Sequence, residues 1–440
     1  MMPNLPAPAD TELQGNALDQ LLIRFKIIAG CCLIGLIVGF LAVGFLSLVG
    51  FLTSLWSPDL PNSFSDIEWR YSPLIGAALL ISSFITGQLL KLLDNGRPHG
   101  PADLINATQN NSALDLRHGY LSSFVALINL SGGASVGIFG PIVHFGGCIS
   151  ASMQKLVAQL PRDVLLASGA CAGIAAVFHA PLGAAIFAHE AISRRFGQFG
   201  AGPALAAAFA ALWVSEYFLG NLRVSYFTGP EPGFSSKVLF TAVGLGVASG
   251  ILSSLYIYIV TSSPKLAQAS RVPLQYRPLV PAIVLFLISP MLPHLLGTGI
   301  ETIQLAMAGK LAISLLAALV IAKILMTGLC LGFGYFGGVF GPALFFGTLL
   351  GGVVDLLVTT PDSVGTSYAM LGAVSCVAAV IGAPFASIVI IFEVTRSYGW
   401  TVLSIISVIL ASQISRSLVG RSIFDRQLSL RGISVGDDRR

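Results

Sequence analysis

Charge is what this chain has least of. Lys and Arg number 24 and Asp and Glu 20 in 440 residues, so charged side chains make up 10% of the sequence, against about a quarter in soluble domains. A water-facing surface cannot be built from so few. The formal net charge of +4 is small and spread along the chain, which excludes the basic face that a nucleic-acid partner requires. Cysteine is sparse as well: Cys31, Cys32, Cys148, Cys171, Cys330 and Cys376 lie in apolar runs without CxxC or Cys/His spacing. They read as small buried hydrophobes, and no metal site is expected. No catalytic constellation and no cofactor is expected either, so the chain does not read as an enzyme. The first apolar run is too long for a signal-peptide core, and no cleavable targeting segment is evident.

What fills the sequence instead is apolar: 55% hydrophobic residues and a mean hydropathy of +0.83 define an integral membrane protein whose solvent is the lipid bilayer. Residues 1–20 read as a mobile tail, followed by a first membrane half over 21–262, a polar linker at 263–277, a second half over 278–420 and a short basic tail at 421–440. Arginines gather near the termini and in short loops. This places both termini in the cytoplasm, of a bacterial inner membrane in the simplest case.

Glycine and proline interrupt the apolar runs at chosen places. Ser131–Gly147 reads SGGASVGIFGPIVHFGG, which predicts a helix that ends, a short irregular turn, and a second helix beginning near Pro141. Broken backbone at membrane depth survives only where protein or a water-filled cavity satisfies its polar groups. The amides of Ile138, Phe139 and Gly140, backed by the positive end of the next helix, form a ready anion site. A glycine-rich helix-packing face is the competing reading of this stretch alone.

The signal returns. Gly137-Ile138-Phe139-Gly140-Pro141 is matched by Gly338-Val339-Phe340-Gly341-Pro342, 201 positions on, and Ala180-Pro181 with Glu190 by Ala383-Pro384 with Glu393, 203 positions on. Paired interruptions in two halves of roughly 200 residues point to a transport site at the repeat interface. A weaker match joins Asn95–Ile105 to Leu296–Ile303.

Glu190 and Glu393 sit in apolar helices, where an unpaired charge costs about 2.5 to 3.5 kcal/mol on insertion scales. Capping backbone or pairing with a cation is one role, proton carriage another. His144, His179 and His189 stand open to proton relay or to one satisfied helix-interface bond. Lys323 either pairs with a carboxylate or snorkels.

Together these residues resemble the CLC family of chloride channels and chloride/proton exchangers, over about residues 25–425. The resemblance rests on GIFGPIVHFGG at 137–147, GGVFGP at 337–342, the two Ala-Pro helices ending in Glu190 and Glu393, and EVTRSY at 393–398. It implies an all-α polytopic fold of two inverted halves with broken and tilted helices, and a homodimer with one pore per subunit. It also implies an inorganic anion held by the amides around Ile138–Gly140 and Val339–Phe340.

The departures are as informative. Phe139 stands where the family has its gating glutamate, and Ala191 where exchangers have the internal proton-transfer glutamate. Pro98 replaces the central serine, a change that goes with nitrate preference in the family, and Phe424 replaces the central tyrosine. The expected function is passive conduction of chloride or nitrate. A chloride/proton antiporter and a non-conducting scaffold or receptor are the alternatives. Phe139 reads either as a gate that narrows the outer mouth or as packing.

Overall fold

The computed structural model describes residues 17–66, 71–194, 198–220, 232–358 and 367–434. The expected N-terminal tail lies outside them except for Ala17–Gln20, which open the first helix. Among the described residues the fold is a succession of α-helices with no sheet. The first eight are α1 (Ala17–Ser54), α2 (Pro73–Leu90), α3 (Pro101–Gln109), α4 (Leu116–Ser131), α5 (Phe139–Ser152), α6 (Arg162–Phe178), α7 (Pro181–Phe187) and α8 (Gln198–Leu219). The next eight are α9 (Ser236–Ala269), α10 (Leu279–Ile288), α11 (Ile300–Met307), α12 (Ile313–Gly332), α13 (Phe340–Val358), α14 (Ser367–Ile381), α15 (Pro384–Thr395) and α16 (Tyr398–Val419). A short α17 (Ile423–Ser429) follows.

Among the described residues seven helices are long and apolar enough to cross a membrane, and others fall short of that length. Short helices are what a chain with backbone breaks at membrane depth produces.

The two sets of eight repeat one another in order and in packing. Helices α1, α5, α6 and α8 pack together as α9, α13, α14 and α16 do. The glycines at the crossings repeat too: a Cβ on Gly146 would lie 2.2 Å from the Gly169 carbonyl oxygen, and one on Gly347 2.5 Å from that of Gly372. Only a hydrogen side chain lets these helices approach so closely.

This repeat moves the expected boundary between halves. The polar stretch at 263–277 is not the link, because α9 runs on through Pro264 to Ala269 and packs on α12, α13, α14 and α16. The halves divide between α8 and α9 instead. Polarity at 263–277 marks where a 34-residue helix outruns the apolar core, not where one unit ends. The C-terminal segment also differs from expectation: α17 buries Ile423, Phe424 and Leu428, so the described part of this segment packs on the core.

Candidate functional site

The interrupted stretch folds as its composition dictates. Helix α4 stops at Gly132, Gly133 turns with φ +93°, and α5 starts at Phe139, with Ile138 as its N-cap and no side chain capping it. In the other half α13 starts at Phe340. The two turns meet: Gly137 N–H donates to the Gly338 carbonyl at 2.8 Å, and Gly338 N–H donates to the Gly137 carbonyl at 2.5 Å. A Cβ on Gly137 would sit 2.7 Å from the Gly338 oxygen, and one on Gly140 2.7 Å from the Gly338 Cα. The glycines therefore let two helix N-termini face each other, each with first-turn amides that lack an intrahelical partner.

A cavity of about 460 Å³ opens on one side of this pair. Pro98, Gly140, Val339 and Phe424 all line it, with Tyr335 beside them. Arg97, Lys265 and Arg431 stand on its wall against a single acid, Asp103, which leaves an electropositive approach. Asp103 is itself tied down. It caps α3 by accepting from Gly100 N–H at 2.8 Å, takes a bidentate pair from Arg97 at 3.0 and 2.8 Å, and a third bond from Arg431 at 3.0 Å. Burial raises its carboxyl, but the two guanidiniums outweigh that and hold it well below the usual carboxylate range.

Two tyrosine hydroxyls near the pair are already committed. Ser83 Oγ gives its one proton to the Leu79 carbonyl, so the Tyr335 hydroxyl, 2.5 Å from Ser83 Oγ, must donate to Ser83 and turns only lone pairs outward. Tyr256 Oη donates to the Val339 carbonyl at 3.2 Å. Sequence reasoning missed Tyr335, although it lies four residues before Val339. Its burial and its Ser83 bond are invisible without the fold.

On the opposite side, Ile138 lines a second cavity of about 270 Å³. Phe139 is not among the lining residues of either space. Its ring stacks on Phe178 with centroids 4.3 Å apart and meets Phe340 at 5.0 Å. Phe178 and Phe340 close the triangle at 4.8 Å.

The two matched glutamates exchange places between halves. Glu190, in the π-helical turn Ala188–Ser193 that extends α7, accepts from Phe385 N–H at 3.2 Å and Ala386 N–H at 2.8 Å, the first turn of α15. Glu393 accepts from Leu182 N–H at 3.0 Å and Gly183 N–H at 2.7 Å, the first turn of α7. Each carboxylate neutralises the positive end of the other half's helix. His144 is buried on α5, with Nε2 3.6 Å from Cys148 Sγ. His179 Nε2 lies 3.2 Å from Ser215 Oγ. Lys323 takes neither expected course: among the described residues it forms no ion pair, and its ammonium donates to the Gly297 carbonyl at 3.1 Å while lying 4.9 Å from the Phe345 ring centroid.

The family model described as "Voltage gated chloride channel" matches residues 78–416. A voltage-gated ClC-type chloride channel ClcB of Salmonella typhimurium is 24% identical over 404 residues, covering 86% of this chain and 96% of that one. The ClcB of Escherichia coli O81 is 23% identical over 407 residues, 89% of this chain and 96% of its own. Among solved structures, a slow cyanobacterial Cl−/H+ antiporter aligns with a TM-score of 0.71 at 20% identity, covering 94% of this chain and 99% of that one. A CLC-type fluoride/proton antiporter aligns with a TM-score of 0.76 at 21% identity over the same shares. With the family model spanning most of the chain and the fold shared, this protein belongs to the CLC, or voltage gated chloride channel, family.

Proposed function

We propose that this chain conducts a small inorganic anion passively, chloride or nitrate, without coupling to protons. The observation that carries this reading is the facing pair of helix N-termini, α5 and α13, between an inner and an outer cavity. The Tyr335 and Tyr256 hydroxyls already donate elsewhere, which leaves backbone amides as the chief donors at the junction among the described residues. An anion held mainly by amides is held weakly enough to leave, as conduction requires. The alignment that puts Phe139 at the gating position and Ala191 at the internal proton-transfer position supports the uncoupled form. So does the commitment of Glu190 and Glu393 to capping.

Proton coupling is the second reading. It is favoured by the solved structures of like fold, which are titled as chloride/proton and fluoride/proton antiporters. Purified protein in liposomes separates the two. Anion efflux driven by voltage with no accompanying proton movement supports passive conduction, whereas stoichiometric proton movement against its gradient supports exchange. Absence of flux would remove both.

The same reading includes a homodimer with one pore per subunit in a bacterial inner membrane, both termini in the cytoplasm. Large apolar side chains on the outer faces of α7, α15 and α16, such as Leu182, Phe385 and Phe392, suit a second copy.

A further inference from the structure

The outer cavity holds three features that the central turns do not explain. Helix α11 points its N-terminus at it, with Gly299 as an N-cap in left-handed backbone, φ +78°, and no side chain capping the first turn. His294 lines the same cavity at 1% exposure; neither ring nitrogen makes a hydrogen bond of good geometry, the one backbone group near enough to interact being the Pro61 carbonyl. Behind the Gly297–Gly299 turn lies Lys323, fully buried, its ammonium bonded only to the Gly297 carbonyl and stacked on Phe345. A Cβ on Gly299 would come within 3.6 Å of that ammonium. A buried lysine amine without a carboxylate, a helix N-terminus with no side-chain cap and an imidazole lacking a well-formed hydrogen bond all ask for the same thing. Each is a cost that a negative charge in the cavity would offset.

We propose that this cavity is an anion-holding site in its own right, taking a small monovalent inorganic anion on the first-turn amides of α11 and the His294 ring, with Lys323 supplying the charge from behind. It is separate from the α5/α13 turns, and Ile138, which lines it, connects the two. The proposal rests on the reading of the chain as an anion conductor, for which this site would be the outer station. Burial lowers the His294 imidazole to about 4, so the ring is neutral at pH 7 and brings one N–H. Glu301 also lines the cavity, but its side chain is exposed. It weakens the site from the solvent side.

A unit charge a few ångströms away, in surroundings of intermediate dielectric, changes affinity by an order of magnitude or more. Crystals of the full chain soaked in bromide, with anomalous diffraction recorded, test the site directly. A bromide peak is expected against the α11 first turn, its apparent affinity falling about tenfold in Lys323→Met and falling also in His294→Leu, and rising in Glu301→Gln. A peak at the α5/α13 turns in each variant shows that the protein is folded and keeps the test valid. His294→Leu stands in if Lys323→Met does not fold. Bromide at the α5/α13 turns with none in the outer cavity of the unaltered protein overturns the proposal and leaves the conductor reading intact. An outer peak that neither Lys323→Met nor His294→Leu alters overturns the assignment of its donors. No bromide at either place overturns both readings together.

Discussion

Pro98 and Phe424 share the wall of the 460 Å³ cavity beside the α5/α13 turns, and neither side chain can donate a hydrogen bond. An anion drawn from there to the α5 and α13 turns would gain no bond from either side chain and would rely chiefly on amides and retained water, which penalises a strongly hydrated ion more than a weakly hydrated one. Each bond to a charged group is worth about 1.5 to 3 kcal/mol net. Nitrate is therefore expected to permeate at least as well as chloride, and Pro98→Ser to shift the preference toward chloride. Bi-ionic reversal potentials measure this, and a strong chloride preference in the unaltered protein would mean that another donor reaches the ion. Phe139 poses a different question at the same scale. Its contacts with Phe178 and Phe340 make it part of an aromatic cluster, so Phe139→Ala should destabilise the protein by about 3 to 5 kcal/mol. If the cluster also obstructs the path, single-protein anion flux rises in the folded fraction. Unchanged flux in that fraction leaves the ring as packing alone.

At the scale of helices, the glutamate pair gives the sharpest expectation. Glu190→Gln and Glu393→Gln each remove a charge from two amide bonds at a helix N-terminus, and each should cost about 1.5 to 3 kcal/mol. Similar losses in thermal stability, with flux per folded protein little changed, are expected from both. A variant of Glu190 alone that abolishes proton movement would instead reveal a proton path. Helix α17 gives a second case, because Arg431 just beyond it is latched to Asp103 at the start of α3. The Asp103 pKa is depressed in the folded protein, so the latch is fully present above the ordinary carboxylate range and is lost only as pH falls below it. Protease access to the C-terminal segment should stay constant from pH 8 to about 5, and Arg431→Gln should raise it across that range. What the sequence disclosed among these helices was the repeated letters: the paired Gly-x-Phe-Gly-Pro turns and the paired Ala-Pro helices. The partners stayed hidden. Glu190 and Glu393 bind backbone N–H groups, which no residue letter marks, and Asp103 meets Arg431 across 328 positions. The end of α9 misled for a similar reason, since polar residues beyond the apolar core look like a linker in one dimension.

Among the described residues the molecule is two eight-helix units followed by α17, the units joined by the Gly137–Gly338 bridge and clasped by the exchanged carboxylates. A chain divided between α8 and α9 should therefore reassemble when the two pieces are expressed together and recover anion flux. Either piece alone should be degraded, and recovery of flux by one piece would contradict the shared pore. The exchanged carboxylates also impose an order in time. Glu393 is made 211 residues after Leu182, whose amide it accepts, and at about 5 to 20 residues per second the ribosome takes roughly 10 to 40 s to supply it. For that interval the first turn of α7 sits in the nascent protein with its amides unanswered. A partly made chain thus carries a visible mark of being unfinished, which the last-made helices erase.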